Sequence, residues 1–338
     1  MMKAHGPLVP GAGEVAVIIP AFNSGAHLDQ ALASVAGQTA APSAVVVVDD
    51  CSEDDTLDRA RRWQDRLPLE VIRQEQNQGP GVARHRAIQA STAPLLAMLD
   101  ADDLFLPDHL ECMAAAHAAS PGLVSAQELS WCPGLSLTQL SGPRPVPKKS
   151  NELHALLRHN FINFGFFSRD LYELAGGFGN QYVCEDWDLW IRMVRAGARV
   201  TMTSHPTAIH RVHAQSLTFD AARTARHSAA FLSSALRTAQ SPAEAAAVRA
   251  GLQALKGKLS FYRATELAAQ GHVRQARRVA FGGLPGGGPR ATAGLLALAL
   301  APSAAARLER LTRRYRMPMG AYVPAAGTAP SGTRAAEP

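Results

Sequence analysis

The chain has 338 residues, 47% of them hydrophobic and 18% charged. That suits a globular protein with a sizeable core and excludes a disordered or collagen-like one. Its net charge of +6 conceals an asymmetry: residues 221–338 carry 17 Lys and Arg against 4 Asp and Glu, whereas residues 1–220 carry 17 against 24. The basic C-terminal region is therefore set apart as a candidate for anionic surfaces. Cys51, Cys112, Cys132 and Cys184 form no CxxC pair and no metal-ligand spacing, as expected of free thiols in a reducing compartment.

Residues 1–14 lack the apolar core of a signal peptide and read as a flexible arm. Val15 to Ile19 is a continuous apolar run stopped by Pro20, the pattern of a strand buried on both faces. A helix is predicted from Ala26 to Gln38, and Val45 to Val48 is a second buried strand ending in Asp49-Asp50. Thr56 to Leu67 reads as helix and Leu69 to Arg73 as strand. Gly79-Pro80-Gly81 opens a helix to Ala90, and Leu95 to Leu99 is a strand ending in Asp100. Repeated strand–helix–strand units predict an α/β fold with a mostly parallel, Rossmann-like sheet flanked by helices, with ligands outside the carboxyl ends of the strands. Those ends carry Pro20-Ala21-Phe22-Asn23, Asp49-Asp50 and Asp100-Ala101-Asp102-Asp103.

Further on, the pattern predicts a helix over Leu106–Ala119, a strand over Leu123–Leu129 and a polar loop over Gly134–Ser150. A helix over Asn151–Arg158, an aromatic stretch over Phe161–Phe167, a helix over Glu185–Ala196 and a short strand over Arg199–Thr203 follow. From residue 221 the composition turns to Ala, Leu and Arg with helical periodicity. The expected organisation is an arm at 1–14, an α/β domain at 15–220, a basic helical region at 221–318 and a disordered tail at 319–338.

Asp100, Asp102 and Asp103 crowd together after an apolar strand and repel one another unless a cation joins them. A hard divalent ion such as Mg²⁺ or Mn²⁺ suits one or two carboxylates plus phosphate oxygens; the plainer alternative is that one of them caps the following helix. Asp49-Asp50 offers acceptors for a nucleobase or ribose, or a turn in which Ser52 caps the next helix. Arg84, near the start of the Gly79 helix, suits a phosphate or base. Glu185 and Asp186 fit a helix first turn, and either carboxylate suits taking a proton from an attacking hydroxyl.

These motifs, in order from Val17-Ile18-Ile19-Pro20-Ala21-Phe22-Asn23 through Gln38-Thr39, Val47 to Thr56, Asn77 to Arg84, Leu99 to Asp103 with Pro107, Gly176-Gly177-Phe178, Glu185 to Arg192 and Arg211-Val212-His213, resemble those of the inverting family-2 glycosyltransferases. The resemblance implies a GT-A fold and transfer of a sugar from a nucleotide-diphosphate donor, with a UDP-sugar foremost. The acceptor it implies is a glycan or a lipid-linked saccharide. It implies that Pro20, Phe22 and Asn23 line the nucleotide pocket, that Asp50 binds the base and that Arg84 binds base or diphosphate. Asp102 would be the direct ligand of Mn²⁺ or Mg²⁺, with Asp100 on ribose or a metal-bound water. His213, ahead of the competing His210, would touch metal or diphosphate. Asp186 would be the general base of a single, inverting displacement.

Three residues depart from the family pattern. Cys51 stands in place of a Gly, so the backbone there is expected to avoid positive φ. Asp55 stands where Gly is common, and His85-Arg86-Ala87 replaces an Asn-x-Gly. The Phe161–Phe167 stretch suits either core packing or an acceptor lining, and Trp187 either packing or sugar stacking. Arg307, Arg310, Arg313, Arg314 and Arg316 form a basic amphipathic pattern suited either to an ordinary helix with a solvated basic face or to the inner face of a membrane, where lipid-linked acceptors reside, in an otherwise cytoplasmic protein; nucleic acid is not an expected partner. A dehydrogenase is excluded because Gly11-Ala12-Gly13 precedes the first strand rather than following it. A hydrolase leaves the nucleotide-type motifs unexplained, and a pyrophosphorylase lacks its Gly-rich basic loop. A non-catalytic sugar-nucleotide or polysaccharide-binding protein is the remaining alternative.

Overall fold

The computed structural model describes residues 14–131, 139–140, 152–179, 183–213, 216, 220–284, 295–297 and 299–301. Its first half is a parallel sheet built by β1 (Val15–Ala21), β2 (Ala44–Asp49), β3 (Leu69–Arg73) and β4 (Leu95–Met98), paired in the order β3-β2-β1-β4. The helices α1 (Gly25–Ala36), α2 (Thr56–Arg61) and α3 (Pro80–Ala90) make the crossovers. Because side chains alternate along a strand, the two faces of β1 and β2 enter separate cores. Ala16, Ile18, Val46 and Val48 pack towards α3 with Ala83, Ala87 and Ile88. Val15, Val17, Ile19, Val45 and Val47 pack with Leu28, Ala31 and Leu32 of α1. A strand covered on both sides must be apolar at every position, which is why these runs are unbroken.

The second half is mixed. After β4 come β5 (Leu104–Phe105), α4 (His109–Ala119), β6 (Gly122–Trp131), β7 (Gln139–Leu140) and α5 (Glu152–Leu156). They are followed by β8 (Gly165–Ser168), α6 (Arg169–Leu174), α7 (Glu185–Arg195) and β9 (Arg199–Arg211). β8 lies antiparallel between β4 and β6, β9 runs parallel to β6, and β5 pairs antiparallel with the far end of β9. The single sheet thus reads β3-β2-β1-β4-β8-β6-β9-β5, with β7 on β6.

Local outcomes differ from the sequence pattern in instructive ways. The helix expected to run to Leu67 ends at Arg61 and continues in turns. The one expected from Leu106 begins at His109, because the Leu106 N–H donates to the Thr207 carbonyl at 2.8 Å and prolongs the pairing of Leu104 and Phe105 with β9. The strand expected to stop at Thr203 runs to Arg211 through register shifts between Ser125 and Glu128 of β6; a bulge breaks alternation without ending a strand. Phe161, Ile162, Phe164, Phe166 and Phe167 are all buried, so the aromatic stretch packs the core. Trp187 is also buried and donates to the Leu156 carbonyl at 2.7 Å.

Beyond residue 220, α8 (Ala221–Arg237), α9 (Pro242–Ala269) and α10 (Val273–Gly283) are helical as expected. Leu232, Ala247 and Val248 join the same core as Trp187 and Leu189. Phe231 meets Trp187 at 4.8 Å between ring centroids, and Arg195 of α7 pairs with Glu244 of α9 at 2.7 Å. A smaller cluster of Phe261, Ala264 and Leu267 with Ala276, Ala280 and Leu295 closes α9 on α10. No helix among the described residues is long and apolar enough to cross a membrane. The loop expected at 134–150, the arm up to residue 13, Arg307 to Arg316 and the tail at 319–338 lie outside the described residues.

Candidate active site

The carboxyl ends of β1, β2 and β4 open on one rim, as the strand pattern requires. At the end of β1, Asn23 takes a positive φ of 47°, and its loop is tied to the loop after β2. The Asn23 N–H donates to Ser52 Oγ at 2.9 Å, and Asn23 Oδ1 accepts from the Glu53 N–H at 2.9 Å. Pro20 is half-buried beneath this loop, and Phe22 is 46% exposed on the rim. Cys51 has φ of 65°, contrary to the expectation drawn from its side chain. The backbone keeps the left-handed turn that a Gly would adopt freely, and the Cβ strain is borne there.

Asp50 is buried and almost fully engaged. Its Oδ1 accepts from Gln74 Nε2 at 2.5 Å and from the Gln78 N–H at 2.8 Å, and its Oδ2 accepts from the Gly79 N–H at 2.8 Å. A carboxylate has about four acceptor positions, so room remains for one further donor. Gly79, the N-cap of α3, has φ of 88°, a conformation that only Gly adopts without cost.

The acidic turn after β4 meets the end of β9 from across the sequence. Asp102 Oδ2 lies 2.9 Å from His213 Nε2. Burial favours the neutral acid, but the His213 hydrogen bond and nearby His210 outweigh it and hold Asp102 below the usual carboxylate range. Asp103 is buried; it accepts from the Arg211 N–H at 2.7 Å and faces His210 Nδ1 at 3.2 Å. Burial alone would lower His210, yet Asp103 raises it to about 10. Asp103 therefore anchors β9 and is no helix cap; the N-cap position of α4 is Asp108. Each of Asp100, Asp102 and Asp103 has a carboxylate oxygen within 4.8 Å of the others. With Asp103 held by β9, the turn presents Asp102, with His213 beside it, and the exposed carboxylate of Asp100. That oxygen- and nitrogen-rich set fits a hard divalent ion that keeps positions for phosphate oxygens. The two histidines divide between two aspartates: His213 faces Asp102 and His210 faces Asp103.

Arg84 joins α3 to both acidic groups. Its guanidinium is 2.6 Å from Asp100 Oδ1 and 2.5 Å from Glu185 Oε1, and it lies 5.9 Å from the Phe178 ring centroid. Burial lowers the Arg84 pKa, but Asp100, Glu185 and Asp186 together raise it above its ordinary value. Burial pushes Glu185 up to about 7 against the pull of Arg84. Asp186, next along α7, is also raised by burial. Its Oδ2 accepts from Asn160 Nδ2 at 3.0 Å, and its Oδ1 accepts from the Trp187 N–H at 2.6 Å.

The sequence pattern did not single out Asn160, Gln74 or His27. His27 on α1 meets His213 at 4.5 Å between ring centroids and lies 3.1 Å from Arg211 Nη1. Arg211 also donates to Gln30 Oε1 at 2.7 Å and lies 4.7 Å from the Trp131 ring. The only local signal was that His27 and Gln30 share one face of a helix that starts at the rim.

Residues 16–168 match the family model described as Glycosyl transferase family 2. That match spans just under half of the chain, which is thus similar to the family-2 glycosyltransferases over those residues, and the fold is that of GT-A proteins. The Rhizobium meliloti succinoglycan biosynthesis protein ExoU is 43% identical over 98 residues, 29% of this chain and 28% of that protein. The chain thus spans under a third of that relative's length. Two solved structures share the fold. One is the mannosyltransferase PcManGT from Pyrobaculum calidifontis, in complex with GDP-Man and Mn²⁺: TM-score 0.59, 22% identity, 89% of this chain and 88% of that one. The other is S. aureus TarS 1-349 in complex with UDP-GlcNAc: TM-score 0.57, 17% identity, 89% and 91% covered.

Proposed function

We propose that the protein transfers a sugar from a nucleotide-diphosphate donor to a glycan or lipid-linked acceptor by a single inverting displacement, with Asp186 as general base. The observation that carries this reading is the Arg84 bridge. It joins the turn of Asp100 and Asp102 to the start of α7, so a cation-binding cluster and a buried, up-shifted carboxylate belong to one assembly. Pro20, Phe22, Asn23 and the remaining acceptor position of Asp50 would receive the nucleoside. Asp102, Asp100 and His213 would hold Mn²⁺ or Mg²⁺, which when bound supplies charge neutralisation at the diphosphate leaving group. Arg84 would add positive charge beside it. Asp186, its orientation set by Asn160 and the Trp187 N–H, would take the proton of the attacking acceptor hydroxyl. The relatives' donors, GDP-Man and UDP-GlcNAc in the two solved structures, support a nucleotide-sugar as the ligand class, and we favour a UDP-sugar.

We further propose that residues 15–220 form the catalytic unit and that the basic region after it rests on an anionic membrane surface. What supports the latter is Arg274, Arg277 and Arg278 exposed on α10, with Phe281 and Leu300 exposed by 54% and 69%.

The test is thermal stability with UDP-, GDP- and dTDP-sugars, each with and without Mn²⁺. One donor should raise Tm only when Mn²⁺ is present, since a ligand at about 100 times its Kd adds about 2.7 kcal/mol. Asp102→Asn should abolish that metal-dependent rise. No metal-dependent stabilisation by any donor would overturn the reading.

A further inference from the structure

Spacing along the chain gives the cysteines no metal motif, but the fold supplies Cys112 with ligand-type neighbours. Asp108, at the N-cap position of α4, and Cys112, one turn further, share a helix face. His205 reaches them from the bulged part of β9. Asp108 Oδ2 and His205 Nε2 are 2.7 Å apart, and Cys112 Sγ lies 3.5 Å from that oxygen and 3.8 Å from that nitrogen. A tetrahedral zinc ion with bonds of about 2.3 Å to sulfur and about 2.0 Å to nitrogen and oxygen needs ligand separations of roughly 3.3–3.5 Å. The two sulfur separations meet this within a few tenths of an ångström; the third is a hydrogen bond that a metal would replace by opening it slightly.

Three more features agree. The other imidazole nitrogen, His205 Nδ1, lies 3.3 Å from Ser204 Oγ, the kind of outer contact that orients a metal-bound histidine. The bulge that presents His205 is pinned: Thr203 Oγ1 donates to the His205 carbonyl at 2.8 Å and accepts from the Gln127 N–H at 2.8 Å. The donor set also suits a positive charge, since a carboxylate and a thiol face one imidazole. A bound cation would stabilise the thiolate, with the thiol proton released to solvent.

We propose that Asp108, Cys112 and His205 form a zinc site, separate from the acidic turn, with water in the fourth position. Sulfur, nitrogen and oxygen donors together favour Zn²⁺ over Mg²⁺ or Mn²⁺, and half-exposed Asp108 and His205 leave the ion an entry path. The site's effect is positional. It clamps the start of α4 to β9 five residues before His210, roughly 16 Å along the strand, and so steadies the strand that carries His210 and Arg211 to the acidic turn.

The test uses the full chain, reduced and stripped with a chelator. One equivalent of Co²⁺ should give a thiolate-to-cobalt charge-transfer band that Zn²⁺ displaces. Cys112→Ser should lose the band, Asp102→Asn should keep it, and Ser204→Ala should weaken Zn²⁺ binding about tenfold or more. In the wild-type protein, Zn²⁺ should shield Cys112 but not Cys51 from alkylation, read by peptide mass spectrometry. Absence of the band, its survival in Cys112→Ser, or alkylation of Cys112 unchanged by Zn²⁺ would each overturn the proposal.

Discussion

The two halves of the sheet contribute to the site in different ways. In the parallel half, β1, β2 and β4 each deliver side chains directly at their carboxyl ends, so Asn23, Asp50 and Asp100 follow the strand they depend on within a few residues. In the mixed half, the contributing side chains depend on partners far away in the sequence. Asp186 comes from a helix start, His210 from the end of a bulged strand and His213 from just beyond it. Their partners Asp103 and Asp102 lie 107 and 111 positions away. The first half makes a binding rim from local sequence, whereas the second completes it by long-range closure. A substitution in the second half should therefore damage chemistry and assembly, while the rim survives.

Asp186→Asn is the largest expected effect and the sharpest form of that contrast. It keeps the shape and the hydrogen bond from the Trp187 N–H but removes the base, so kcat should fall by about 10²–10⁴-fold with donor-induced stabilisation unchanged. Steady-state rates beside thermal shifts with donor and Mn²⁺ decide it. Retained turnover would remove Asp186 from the mechanism.

Arg84→Met cuts the bond between the halves. Arg84 and Glu185 are both nearly buried, and removing one partner of a buried pair costs about 3–5 kcal/mol. Glu185 is already raised to about 7 by burial and would rise further without the guanidinium. A raised carboxyl binds more protons folded than unfolded, so the variant should recover stability as pH falls below 7 and be weakest above it. Urea denaturation at pH 6 and pH 8.5 reads this; an equal loss at both would show that the unpaired Glu185 is not the cause.

Gly165→Ala probes packing where β8 joins the halves. An added Cβ would meet the Trp190 ring at 2.5 Å, between buried strands with no slack to yield. The expected loss is about 1–3 kcal/mol, measured by chemical denaturation, with the metal-dependent donor response retained at a temperature where the variant is folded.

The same contrast explains what could be read from the residues. The bounds of β1 to β4 were legible to within a residue or two: β1 and β2, buried on both faces, leave unbroken apolar runs, and β3 and β4 are short runs set between turn signals. Asp50, Asp100 and Asp102 were legible as carboxylates stranded at apolar ends. The full length of β9 was not, since Thr203, Ser204 and His205 interrupt the pattern and only pairing with β6 and β5 carries the strand on. Nor was the anchoring role of Asp103, which depends on an N–H at Arg211. Cys51 misled because side-chain identity argues against positive φ, while the Ser52 and Asn23 hydrogen bonds hold the turn regardless. Asn160 carried no signal, lying in an irregular stretch with its partner on another helix.

The smallest effect concerns the pair that fastens β9 to the turn. His210 is raised to about 10, well above its unfolded value near 6.5, so the folded state binds this proton more tightly than the unfolded chain. The stability it contributes is full below about pH 6.5 and is lost as pH rises towards 10. Buried Asp103 is raised as well and so adds a slope of the same sign at lower pH. His210→Gln keeps a donor within reach of Asp103 but cannot titrate. Its stability should fall less steeply than that of the wild-type protein between pH 6.5 and 10, and the two curves should lie furthest apart at the acid end. Because His213, not His210, faces Asp102, the Mn²⁺ dependence of donor binding should be unchanged in His210→Gln and weakened in His213→Ala. If both variants lost it equally, the two histidines would form one metal-binding group, and the division between a fastening pair and a ligand pair would fail.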